Sequence, residues 1–132
     1  MISLDTNVLV RFLVNDDEAQ ALKAKDIIEN NRVWLSKTVV QELEWVLRYS
    51  YEFPSSQVNK ALQFLFGLEQ VEVEHPEQIR EALDWHDLGL DFSDALHLAA
   101  SEATGKMLTF DKKFINKAKR LTTKTRVEAA DS

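Results

Sequence analysis

Asp5, Glu42, Asp94 and Asp111 are the acids of this chain whose surroundings suit chemistry better than plain solvation. Asp5 ends the short apolar run Ile2-Ser3-Leu4 and precedes Thr6, Asn7 and the mostly apolar stretch Val8 to Val14. That places it at the carboxyl end of a strand, where open α/β sheets bind ligands. Asp111 repeats the arrangement, after Lys106-Met107-Leu108-Thr109-Phe110 and before Lys112-Lys113-Phe114. Glu42 lies three residues after Val39 and four before Val46, inside a helical apolar stripe. A carboxylate aimed at a core costs several kcal/mol unless something compensates. Asp94 opens the small, apolar helix Ala95-Leu96-His97-Leu98-Ala99-Ala100, and a helix amino end keeps an acid ionised. Each acid also has an ordinary reading. Asp5, Thr6 and Asp111 are good helix caps, Asp91-x-x-Asp94 resembles a capping box, and Glu42 can be a boundary residue that reaches out to water. Brought together, these carboxylates would repel and raise one another's pKa values, a conflict that a divalent cation removes. Ligands of oxygen alone select Mg²⁺ or Mn²⁺ over zinc, and such a cluster beside basic side chains suits phosphodiester hydrolysis.

The basic side chains are unevenly placed. Net charge is −6, the wrong sign for general attraction to nucleic acid, yet eight of the sixteen basic residues fall between Gly105 and Arg126, with Asp111 the one acid among them. Lys112 and Lys113, next to that acid, are the expected phosphate contacts. Other polar residues read as structural. Asp16 and Asp17 charge the start of a helix, and Glu44 precedes Arg48 by four residues, the favourable order for a solvent-facing helix pair. His75 and His86 lack partners at metal-ligand spacing and are expected at the surface or its boundary, while His97 is expected to pack.

The elements that must position these acids alternate. Helices are expected from Val8 to Val14, Asp16 to about Asn30, Ser36 to about Tyr51, Ser56 to Leu68 and Pro76 to Leu88, then after Asp91 up to Gly105. Short strands fall at Val33-Trp34-Leu35, Val71-Glu72-Val73, Lys106 to Phe110 and Arg126-Val127-Glu128. This alternation implies an α/β fold with a parallel sheet covered by helices on both faces. Right-handed crossovers would bring Asp5 and Asp111 out on one edge, within reach of Glu42 and Asp94 from helices. At 132 residues the chain suits a single domain, residues 1 to 132. A hydrophobic content of 45% supports a core, but no apolar run approaches the roughly 20 residues of a membrane span. With no cysteine there is neither disulfide nor thiolate metal site, and no basic-then-apolar leader is visible. A cytoplasmic protein with no membrane partner is expected. Trp45, Tyr49, Tyr51, Phe64 and Phe66 exceed what one small sheet needs to bury, so they suit either a protein interface or an enlarged core.

Taken in order, Asp5-Thr6-Asn7, Glu42, Asp94-Ala95-Leu96-His97-Leu98-Ala99 and Leu108-Thr109-Phe110-Asp111 resemble the motifs of the PIN-domain ribonucleases, specifically the VapC-type toxins of toxin–antitoxin pairs. The resemblance covers nearly the whole chain. It implies a three-layer α/β/α domain with a short-stranded, mostly parallel central sheet, and a Mg²⁺- or Mn²⁺-dependent endoribonuclease. It further implies a homodimer that cuts RNA and is silenced by a cognate antitoxin occupying the acidic cleft. By the same resemblance Asp5 and Asp94 are the principal metal ligands, Glu42 and Asp111 complete the acidic site, and Asn7 and Thr109 support it. Asp91 is kept as a cap. Two other classes compete: a Mg²⁺-binding phosphoacceptor receiver, which wants adjacent acids where Asp5 stands before Thr6, and a catalytically idle binding module. A phosphatase with Asp-x-Asp fails because position seven is Asn7.

Overall fold

A computed structural model describes residues 1 to 131, which form two units, 1–76 and 77–131, described in turn. In the first, β1 (Ile2–Ser3) ends two residues before Asp5, whose carboxylate accepts from the Val8 backbone N–H and starts α1 (Thr6–Val14). Asn15, in the left-handed conformation at φ 59°, ends α1. Asp17 then caps α2 (Glu18–Glu29) by accepting from Gln20 N–H. β2 (Val33–Leu35) is the middle strand, its Val33 and Leu35 fully buried. Ser36 caps α3 (Lys37–Tyr49), and α4 (Ser55–Phe66) follows Pro54, a residue that cannot extend a helix backwards. β3 (Val71–Val73) completes a parallel sheet in the order β1-β2-β3, with Ile2 opposite Val33 and Val33 opposite Val71.

The stripe that the sequence suggests for α3, Val39, Val40, Leu43, Val46 and Leu47, narrows to one face. Val40, Leu43, Glu44 and Leu47 are its buried residues, at the i, i+3, i+4, i+7 spacing of a core face. Val39 and Val46 are only half-buried, and Glu42 between them is exposed. The two glutamates therefore exchange places. Glu44, expected on the solvent face, is 1% exposed, and its carboxylate is held by the Arg48 guanidinium at 2.7 Å from Nε. A buried carboxylate is tolerable only with such a charged donor. The apolar excess of α3 and α4 also divides: Val58, Leu62 and Leu65 are buried, whereas Phe64, Trp45 and Tyr49 are exposed, Trp45 stacked on Tyr49 and Phe12 on Phe64.

The second unit contains the body of α5 (Pro76–Asp87), α6 (Phe92–Ala100), β4 (Lys106–Thr109), α7 (Lys112–Ala118) and β5 (Arg126–Ala129). β4 and β5 pair in parallel from Lys106 opposite Arg126 to Thr109 opposite Ala129, so every strand pairing among the described residues is parallel. The hydrogen-bonded ladders make two sheets, of three strands and two. Small residues on α6, Ala95 and Ala99, are buried beside Phe92, Leu96 and Leu98. Fully burying each of these larger side chains is worth about 1.5–3 kcal/mol. His86 corrects its surface assignment. It is 4% exposed and meets the edge of Phe92 at a centroid distance of 5.5 Å, because the same face of α5 carries Ile79, Ala82 and Leu83 inward. His97, expected to pack, is exposed instead. Gly89, at φ 107°, turns the chain from α5 into α6, a backbone conformation that side-chain-bearing residues rarely adopt. No helix among the described residues is long and apolar enough to cross a membrane.

Candidate active site

In the first unit, the start of α1 organises two of the expected acids. Asp5 commits Oδ1 to the helix N-terminus, 3.3 Å from Val8 N. Next to it Thr6 is 5% exposed, and its hydroxyl donates to Oε1 of Glu42, from α3. Glu42 thus lies on the solvent-accessible flank of α3 but is tethered from below. Asp5 and Asn7 line one cavity of about 350 Å³ with Val8, Arg11, Gln20, Lys23, Ala24 and Ile27. Arg11 there is occupied: it donates to Asp16, Gln20 and the Tyr51 hydroxyl. The Tyr51 bond and Asp16 together hold the guanidinium above its usual pKa.

In the second unit, Asp91, Asp94, Asp111, Lys113 and Lys117 line a pocket of about 400 Å³ with Leu90 and Phe114. Asp91 caps α6, accepting from Asp94 N–H at 3.1 Å, as the sequence suggests. Asp94, one turn inside, is half-buried, and burial pushes its carboxyl above the ordinary carboxylate pKa. Repulsion from Asp91 and Asp111 adds to the rise, while His97 and Lys117 oppose it. Asp111 accepts from Lys113 N–H and Phe114 N–H with the same oxygen, Oδ1, so it starts α7 and keeps Oδ2 for other partners. Thr109 Oγ1 accepts from Asp111 N–H at 3.1 Å, which fixes the backbone that carries the acid. Lys117 donates to the Gly89 carbonyl at 3.0 Å, tying α7 to the turn before Asp91.

The structure thus gathers Asp94, Asp111 and Lys113 about one pocket, and links Asp5 and Glu42 to the first turn of α1. Lys112 is exposed and is not among the residues that line the pocket. Three contributors went unassigned in the sequence. Thr6 reads there only as a possible cap, Asp91 only as a cap, and Lys117 as one charge of many; the helical spacing of Lys113 and Lys117 was the available signal. Among the described residues no group of three or more Asp, Glu, His or Cys side chains closes around a point as a coordination sphere would.

No curated protein matches the sequence. Among solved structures, the chain is similar to VapBC2 from Rickettsia felis bound to a DNA fragment from its promoter, at 20% identity and a TM-score of 0.40, with 98% of each chain covered. The PIN domain model matches residues 2–120, a span that takes in Asp5, Glu42, Asp94 and Asp111, and the chain accordingly belongs to the PIN domain family.

Proposed function

We propose that this protein is a divalent-metal-dependent endoribonuclease and the toxin of a toxin–antitoxin pair. The observation that carries this reading is the state of Asp94, a half-buried acid whose carboxyl is raised by burial and by Asp91 and Asp111, beside Lys113 and Lys117. Asp91 and Asp111 act on the Asp94 carboxyl by like-charge repulsion, which a cation bound there would relieve. The donor set fits Mg²⁺ or Mn²⁺: every candidate ligand is a carboxylate, and no thiolate exists in the chain. Asp94 and Asp111 would hold the ion in the second unit; in the first, Asp5 and Glu42 are the candidate acids. When bound, such an ion lowers the pKa of a water and offsets charge on the phosphate under attack.

The chain's own residues supply the rest. Glu42, kept in one orientation by Thr6, accepts or directs the proton of the attacking water. Asp111 keeps Oδ2 for an ion or a water while Oδ1 stays on the helix end. Lys113 binds a flanking phosphate of the RNA strand, and Lys117 adds positive charge at the pocket wall. Asn7 and Thr109 support Asp5 and Asp111. The protein works as a homodimer in the cytoplasm, and an antitoxin silences it by covering the acids.

The test is cleavage of RNA by the purified protein with Mg²⁺, with Mn²⁺ and with chelator, beside Asp94→Asn. Cleavage should require the metal and fall by roughly a hundredfold or more in the variant, the scale of losing an electrostatic contribution in a transition state. Cleavage that survives chelation, or an Asp94→Asn rate equal to wild type, overturns the reading.

A further inference from the structure

We propose that Thr6 is a positioning residue, whose buried hydroxyl holds the Glu42 carboxylate in the orientation that cleavage uses. The inference rests on the nuclease reading and adds to it a residue that no acid motif marks. Glu42 is exposed and long, so in the absence of an anchor its carboxylate would sample several rotamers in water. Thr6 has the opposite character. It is 5% exposed, it is the first residue of α1, and its branched Cβ restricts χ1, so its hydroxyl has few directions to offer. That hydroxyl donates to Glu42 Oε1 across 36 positions of sequence. The preceding residue, Asp5, is fixed by the same helix start through its bond to Val8 N–H. One helical turn therefore sets both first-unit acids, Asp5 through its own cap and Glu42 through its neighbour's hydroxyl. With Oε1 engaged, Oε2 is the oxygen left to meet water or a cation. A hydroxyl at position 6 is specifically required: valine has the same shape and keeps the burial, but it offers no donor.

The experiment compares Thr6→Val with Thr6→Ser and places Thr6→Val in a cycle with Glu42→Ala, which removes the accepting oxygen. Thr6→Val should lower kcat about tenfold to a hundredfold, the range typical of partners that orient a ligand or base, with KM for RNA within about twofold. Thr6→Ser, which keeps the hydroxyl, should restore most of the turnover. Urea denaturation of wild type, both single variants and the double variant gives a second readout that needs no activity. A non-zero coupling between the two substitutions is expected, because they remove the same bond. Equal kcat in Thr6→Val and wild type, or additive denaturation free energies, overturns the proposal. A wild type that shows coupling but cuts no RNA under any divalent metal instead overturns the nuclease reading, leaving the anchor itself supported.

Discussion

Asp94 shows how one side chain's surroundings can be turned into a measurement. Its folded pKa is raised above the ordinary value of 3.8, first by burial and then by Asp91 and Asp111. A raised acid favours the folded state fully only below its unfolded pKa, and that contribution is lost as pH rises through the folded pKa. Metal-free wild type should therefore lose stability relative to Asp94→Asn as pH climbs from about 4, since asparagine does not titrate. Thermal melts across that range test the sign, and a Tm difference that stays flat with pH would remove the repulsion argument. Adding Mn²⁺ should restore stability to wild type and do little for Asp94→Asn. Asp94 was legible in the sequence because a charged residue at the head of so apolar a helix stands out from its neighbours. Glu42 was legible as special for the wrong reason. Its neighbours Val39 and Val46 extend the apolar pattern around α3, and only packing reveals that Glu44 takes the buried position while Glu42 lies on the flank, held by Thr6.

At the level of elements, helix starts carry the candidate chemistry: Asp5 begins α1, Asp91 begins α6 and Asp111 begins α7. The ordinary and the functional readings of these acids, which the sequence sets against each other, are compatible, because a carboxylate has two oxygens and a cap uses one. This separates charge from fold. Asp111→Asn keeps a cap acceptor and should leave stability nearly unchanged while abolishing cleavage. Asp111→Ala should lose the cleavage and about 1 kcal/mol of stability as well. Denaturation midpoints of the two variants decide this, and equal stabilities would show that Oδ1 contributes nothing to α7. Strand positions at β2 and β4 were readable from short apolar runs and that of β3 from its alternation. The division of the ladder into three strands and two was not, since pairing depends on contacts far apart in sequence.

For the molecule as a whole, a net charge of −6 means that the proposed RNA binding would rest on a local group of cations, and the pocket lining narrows that group. Lys113 and Lys117 line the acidic pocket and Lys112 does not. In an Asp94→Asn background, which binds without cutting, Lys113→Ala should weaken RNA binding and reduce the slope of log K against log salt by about 0.7, the counterion term for one single-strand phosphate contact. Lys112→Ala should change the slope less, and equal slopes in all three proteins would place the basic segment away from the strand. Adjacent lysines in the sequence look interchangeable; only the turn of α7 distinguishes them.

Gly89 offers no functional group, yet its backbone turns at φ 107° just before Leu90 and the cap at Asp91, and its carbonyl takes the Lys117 ammonium. Any other residue at that position is forced into a conformation costing on the order of 1–3 kcal/mol, or shifts the start of α6 and Asp94 with it. If unchecked expression of this protein arrests growth, escape mutants selected from a random library should record that constraint. Substitutions at position 89 should recur among the survivors alongside losses of the acids. The molecule's vulnerability would then be written in genetics at a residue that touches no substrate.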